Sequence, residues 1–117
     1  SSGNFWIAGK SLFFISDENE LVRLEMKTGK TVWVTELPAF SKKRILRYKK
    51  TNQHHGPIIA GNQIIIASSD GYMRFYDPKT GGQRNKLKIK AGATANPIVV
   101  NETLYLITQD GKLRAFR

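Results

Sequence analysis

A chain of 117 residues suffices for one domain with a modest core, and its 40% hydrophobic and 10% aromatic content is too high for a disordered segment. No apolar run approaches the roughly 18–20 residues of a membrane-spanning helix, and the absence of cysteine excludes disulfides, Fe–S clusters and thiolate zinc sites. Nineteen Lys and Arg against nine Asp and Glu give a net charge of +10, which attracts nucleic acid, anionic lipid or an acidic protein surface and is equally the charge of a plain solvated basic surface.

The first ten residues, SSGNFWIAGK, lack the basic-then-apolar pattern of a signal peptide, and Phe5 and Trp6 read as strand residues. A short strand, FWIAG, is followed at Gly9 by a turn and an all-apolar strand, Leu12 to Ile15. Glu18-Asn19 marks the next hairpin. A mixed strand then runs from Leu21 to Leu24, and Thr28-Gly29 leads into a fourth, TVWVTEL. The order recurs further on: PIIAG, the run Ile64 to Ala67, Met73 to Tyr76, and RNKLKI after Gly81-Gly82. It recurs again as PIVVN, Leu104 to Ile107 and Leu113 to Phe116, with the chain ending at Arg117 before a fourth strand.

The recurrence is an ungapped internal repeat. Ile7 to Gly29 lies over Ile59 to Gly81, an offset of 52, and the second copy lies over Val99 to Arg117 at an offset of 40. Asp70-Gly71 and Asp110-Gly111 supply the positive φ angles of two-residue primed hairpin turns, and Gly9, Gly61 and Asn101 mark the preceding turn. Each copy is therefore a four-stranded antiparallel meander of about 40 residues, the size of a propeller blade. A strand such as Ile64 to Ile66 need not alternate if neighbouring blades cover both of its faces. The expected fold is all-β, a β-propeller fragment of about three four-stranded antiparallel blades with the last lacking its outer strand, and with no helix longer than about two turns. Blade one spans 1–37, a basic inserted connection 38–55, blade two 56–90 and the incomplete third blade 91–117. A β-sandwich of similar hairpins is the alternative, but it gives no reason for the registration.

Between the third and fourth strands stand LEMKTGKTVW and YDPKTGGQRN. They resemble the A-x-D-x-x-T-G-x-x-x-W motif of the propeller repeats related to pyrroloquinoline-quinone (PQQ) enzymes. Thr28, Gly29, Trp33, Asp77, Thr80 and Gly81 match it, while Glu25 replaces the Asp and Asn85 the Trp. In that family the Thr-Gly makes the turn and the Trp docks on an adjacent blade. Over all 117 residues the chain is most similar to the last blades of the BamB-like family, propeller subunits of the outer-membrane β-barrel assembly machinery. The resemblance implies a C-terminal piece of a periplasmic lipoprotein of about eight blades, with any lipidated cysteine outside it. It also implies a non-enzymatic scaffold whose partners are protein subunits of that machinery or nascent outer-membrane proteins. The rival within the superfamily is a PQQ-dependent dehydrogenase, separable by titrating PQQ and following absorbance; no position that would hold PQQ can be assigned here.

Other chemistry finds little support in the residues. TGKT (Thr28 to Thr31) ends like a phosphate-binding loop but has Leu24 where the first Gly belongs. His54 and His55 read as surface-loop residues that point opposite ways and share no metal, and nothing ties them to Ser68-Ser69 as a hydrolytic triad. Asp70 and Asp110 recur at a turn, which argues geometry rather than acid–base chemistry. Asn101-Glu102-Thr103 fits a glycosylation sequon that coincides with a hairpin turn. No metal or organic cofactor is expected.

One segment departs from the repeat. Twelve extra residues lie between Gly29 and Pro57 compared with Gly81 to Pro97. They carry Lys42, Lys43, Arg44, Arg47, Lys49 and Lys50 interleaved with Tyr48. Such a segment is a candidate partner-binding patch for an acidic protein surface or, as a third functional reading, for nucleic acid, and also fits a solvated excursion. A longer connection after the Leu37-Pro38 pair is frequent in BamB-like relatives, which favours a family feature. Salt-dependent DNA or RNA binding separates the nucleic-acid reading. Finally, Leu12 to Ile15 and Leu104 to Ile107 should each leave one apolar face open, and Leu113 to Phe116 a bare edge, so the piece is expected to self-associate or to belong to a larger assembly.

Overall fold

The structure, a computed structural model, describes residues 5–38, 53–89 and 92–116, which form eleven strands and no helix. β1 (Phe5–Ala8), β2 (Ser11–Ile15), β3 (Glu20–Glu25) and β4 (Thr31–Glu36) make sheet 1 in chain order. β5 (His54–Ala60), β6 (Gln63–Ser68), β7 (Tyr72–Tyr76) and β8 (Gln83–Lys88) make sheet 2 in the same order. β9 (Ile98–Val100), β10 (Thr103–Ile107) and β11 (Leu113–Phe116) make sheet 3. Every pairing is antiparallel, so each sheet is a meander.

The turns divide into two kinds. Gly61-Asn62 and Asn101-Glu102 both take positive φ at each residue (58° and 64°, 51° and 63°), as a type I′ turn requires. The hairpins at Asn19, Gly71 and Gly111 differ from the two-residue primed turns expected at these sites. Positive φ falls on the last residue alone (60°, 94° and 78°), and its N–H donates to the carbonyl of Ser16, Ser68 or Thr108 three positions earlier. This is a type I turn closed by a residue in the left-handed region, the three-residue hairpin that ends in a bulge. The Asp-Gly pair was the correct hairpin signal, but its aspartate serves a different purpose: Asp70 Oδ1 accepts from the N–H of Tyr72 and Asp110 Oδ1 from that of Lys112.

The repeat extends to its irregularities. The register slips between Arg23 and Leu24 in sheet 1 and between Phe75 and Tyr76 in sheet 2, the same position in each copy. Both bulges adjoin the Thr-Gly turn.

Sheet 2 lies between the other two, and the isoleucine run of β6 divides by parity. Ile64 and Ile66, with Tyr76, pack against Phe13 and Leu21 of sheet 1. Ile65 and Ala67, with Met73, pack against Leu104 and Leu106 of sheet 3. Ile64, Ile66 and Ala67 are fully buried, because successive strand residues face opposite layers and both layers here are protein. Among the described residues, the sheets of β2 and β10 are packed by sheet 2 on one side, and these strands alternate: Phe13 is buried between half-buried Leu12 and Phe14, and Leu106 is buried beside exposed Ile107.

Candidate functional site

The first seam, between sheets 1 and 2, is built by the motif residues. Asp77 opens a tight turn in which its carbonyl accepts the N–H of Gly81, its Oδ1 accepts that of Lys79 (2.9 Å), and Thr80 Oγ1 accepts that of Gly82 (3.1 Å). The first copy repeats the form: Gly29 donates to the Glu25 carbonyl, Thr28 Oγ1 accepts from the N–H of Lys30, and the Thr28 hydroxyl donates to Glu25 Oε1. Glu25 thus replaces aspartate by using its hydroxyl neighbour. The turn of sheet 2 then receives sheet 1. Trp33 Nε1 and an Arg23 guanidinium N–H both donate to the Pro78 carbonyl at 2.9 Å, and the Thr35 hydroxyl donates to the Gly81 carbonyl at 2.6 Å. Arg23 Nε is held by Ser11 Oγ, and the guanidinium lies over Phe13, whose ring centroid is 6.2 Å from that of Trp33. Gly81 is obligatory for the fit, since a Cβ there would come within 2.5 Å of the Trp33 ring.

At the second copy's position for Trp33 stands Asn85, exposed, with its Oδ1 accepting from the N–H of Lys86. Ile65, the match of Phe13, therefore has no indole above it. A cleft of about 550 Å³ opens there between sheets 2 and 3, with Met73, Phe75, Leu87 and Phe116 among its apolar walls. Glu102 and Gln63 are its polar members. This lining offers neither a nucleophile nor a metal set; it suits an apolar side chain.

Two ion pairs repeat across copies. Arg74 donates to both carboxylate oxygens of Asp70 (2.6 and 3.3 Å) in a buried setting, and Arg114 makes the same pair with Asp110 at 2.6 Å, more exposed. The Thr108 hydroxyl, ahead of Arg114, holds the Asp110 carboxyl down at about 2. The N–H of Lys79 likewise lowers Asp77. These aspartates are committed to turn geometry.

The histidines correct the sequence reading. His54 and His55 lie in β5 rather than in a loop, and they do point opposite ways. His54 bridges Ser68 Oγ through Nδ1 (2.6 Å) and the Pro38 carbonyl through Nε2 (2.8 Å), which ties the exit of sheet 1 to the end of β6. Nε2 therefore carries the proton and Nδ1 accepts from Ser68. Burial, assisted by Arg74, keeps the imidazole below its ordinary value. His55 is lowered by burial against the opposing Ala93 carbonyl, on the sheet 3 side. A link from His54 to Ser68 was not foreseen, because the repeat gave no partner for residues ahead of Pro57. It is not a hydrolytic pair: Ser68 is fully buried, and Asp70 faces Arg74. Among the described residues no group of three or more His, Asp or Glu could hold a metal. Lys42, Lys43, Arg44, Arg47, Tyr48, Lys49 and Lys50 lie outside the described residues.

The turn-to-indole seam is the signature expected of the PQQ-type repeat. The family model for outer membrane protein assembly factor BamB, built on that repeat, matches residues 1–117. The chain belongs to the BamB family. Similar proteins include outer membrane protein assembly factor BamB of Shewanella oneidensis, 22% identical over 135 residues that cover 92% of this chain and 34% of the relative. That of Aliivibrio fischeri is 25% identical and covers 95% of this chain and 36% of the relative. The chain thus spans about a third of the length of these BamB relatives. Among solved structures, the crystal structure of BamB from Moraxella catarrhalis superposes with a TM-score of 0.73 at 17% identity, over 98% of this chain and 32% of the other. The computationally designed Ika4 protein gives 0.66 at 11%, over 96% of this chain and 62% of that one. The fold is the all-β one read from the repeat: three stacked antiparallel sheets of a BamB propeller fragment, the last with three strands.

Proposed function

We propose that the chain works as a non-enzymatic scaffold in the assembly of outer-membrane β-barrel proteins, on the periplasmic side of a Gram-negative outer membrane. The observation that carries this reading is the match of the BamB family model along the whole of residues 1–117. The partners are other subunits of a β-barrel assembly machinery or the unfolded barrel itself, and the contacts are those between sheets and strands. Support comes from the exposed surfaces of the described residues: β1 and β9 expose Phe5, Ile7, Ile98 and Val100, and among the described residues β11 pairs with β10. A barrel strand, apolar on alternate residues, can lay its apolar side on such a surface and pair its backbone with such an edge.

The test is fluorescence anisotropy with a labelled two-strand segment of an outer-membrane barrel. The chain should bind it saturably, and a proline placed in the pairing strand should weaken binding by blocking a backbone donor. No binding, or equal binding to a scrambled segment of the same composition, would contradict the scaffold reading.

A further inference from the structure

Sheet 2 has a described sheet packed on each of its faces, and β8 is its outer strand. Among the described residues β8 pairs with β7 alone, and all of β8 is exposed. The Ile89 N–H donates to the Gly71 carbonyl, so in an antiparallel ladder Leu87 and Asn85 also turn their backbone groups toward β7. Lys86 and Lys88 turn theirs to the outer edge. The Lys86 N–H agrees, because its acceptor is the neighbouring Asn85 Oδ1, at 2.8 Å, and not a β7 carbonyl. That bond is local and exposed, so an incoming carbonyl can replace it.

The side chains give this edge a sign. Arg84 is engaged by Asp77 Oδ2 (3.4 Å) and the Asn62 carbonyl (3.0 Å), and Arg74 on the adjacent strand by Asp70. Lys86 and Lys88 carry the uncompensated charge of the strand. Their registered neighbours on β7 are Arg74 and Tyr72, and Lys86 Nζ sits 4.5 Å from the Tyr72 ring centroid. Leu87, 42% exposed, lies between the two lysines on the opposite face. The repeat does not call for these lysines: fifty-two positions earlier, on β4, stand Val34 and Glu36. Lysine on an edge discourages pairing with a neutral or basic strand, but toward a carboxylate the same charge attracts.

We propose that β8 is a docking edge for an extended acidic segment of a partner protein, which adds antiparallel to sheet 2 as a fifth strand. A residue directly opposite another shares its face, so the segment carries carboxylates opposite Lys88 and Lys86 and an apolar residue opposite Leu87. Nucleic acid fits less well. Its phosphates would meet the lysines but leave the outward backbone groups and Leu87 unmatched. Recognition lies in the segment, whichever protein carries it, and does not depend on the scaffold role.

The experiment is fluorescence anisotropy of the full 117-residue chain with a labelled nonapeptide centred on Glu-Val-Glu. Binding should be saturable and should weaken as salt rises. Replacing both peptide glutamates by glutamine should weaken it about tenfold, and so should methylating their two amide nitrogens, which keeps the charge and removes the donors. Lys86→Glu with Lys88→Glu should do the same while keeping the wild-type far-UV circular dichroism. Lys10→Glu with Lys27→Glu, the same change of net charge at exposed positions elsewhere, should leave binding within about twofold. If a glutamate variant unfolds, the same lysine pairs changed to glutamine repeat the comparison. No saturable binding overturns the proposal. It is overturned equally by binding that ignores methylation, or that both lysine pairs weaken alike, since either leaves only attraction to net charge. A DNA oligomer of the peptide's charge that binds as tightly through Lys86 and Lys88 overturns it too and assigns the strand to nucleic acid.

Discussion

Gly81 and Gly111 separate two reasons for a glycine. Both hold positive φ, at 79° and 78°, but a Cβ at Gly111 meets nothing within 4 Å, whereas one at Gly81 runs into the Trp33 ring and Thr35 Oγ1. Gly111→Ala should therefore cost about 1 kcal/mol, the backbone penalty alone. Gly81→Ala should cost more, on the order of 2–3 kcal/mol, because the indole must leave its seat on the Pro78 carbonyl. Urea midpoints measure both, and equal midpoints would mean that the Thr-Gly turn does not seat the indole. His54 gives a pH signature of definite sign. Its folded-state value lies below the ordinary 6.5, so on acidification the unfolded chain takes the proton first. Stability should fall as pH drops below about 6.5 and level off once the folded imidazole is protonated too. Asp110, at about 2, contributes only in the more acidic range between that value and 3.8. Urea midpoints at pH 7 and pH 5 should thus show a loss that His54→Gln reduces; His55, lowered in the same direction, leaves a remainder in the variant.

At the scale of strands, the inner strands of sheet 2 and of its neighbours follow one rule: β2 alternates, with sheet 2 packed on one of its faces, and β6 does not, with a sheet packed on each. β3 departs by burying Leu21 and Val22 together, and β8 is exposed throughout. Ile66→Ala, in the fully buried β6, should cost about 2–5 kcal/mol, and Ile98→Ala, 61% exposed on β9, less than about 1 kcal/mol. A similar cost at both positions, read as urea midpoints at low protein concentration, would show that sheet 2 is not enclosed. This rule made the fold legible, because Ile64 to Ile66 and the ungapped offsets are properties of the chain alone. The seam was half legible. The motif named Trp33 and the Thr-Gly turn, but Arg23 and Thr35, which fasten the same carbonyls, carry no recurring signal: Arg23 corresponds to Phe75 and Ala115. The histidines were misread because β5 continues ahead of Pro57 through a break in the pairing between His55 and Ile58, where the repeat offers no template and Gly56-Pro57 reads as a strand boundary. The turn type was misread because Asp-Gly serves both a primed turn and the end of a type I turn.

Over the whole molecule, three repeated sheets stack so that, among the described residues, the middle one is packed on both sides by the other two. Among the described residues, β8 and β9 are exposed at every position, and Phe5 and Ile7 of sheet 1 and Ile107 and Leu113 of sheet 3 are exposed as well. Amide hydrogen exchange at low protein concentration tests this arrangement most directly, since protection reports the free energy of opening strand by strand. The slowest amides should lie in β6, Gln63–Ser68, and in β7 beside it, with β1, β9 and β11 exchanging first. Uniform protection across the three sheets, or β6 exchanging as fast as β1, would contradict the stacking on which both the seam and the scaffold reading depend.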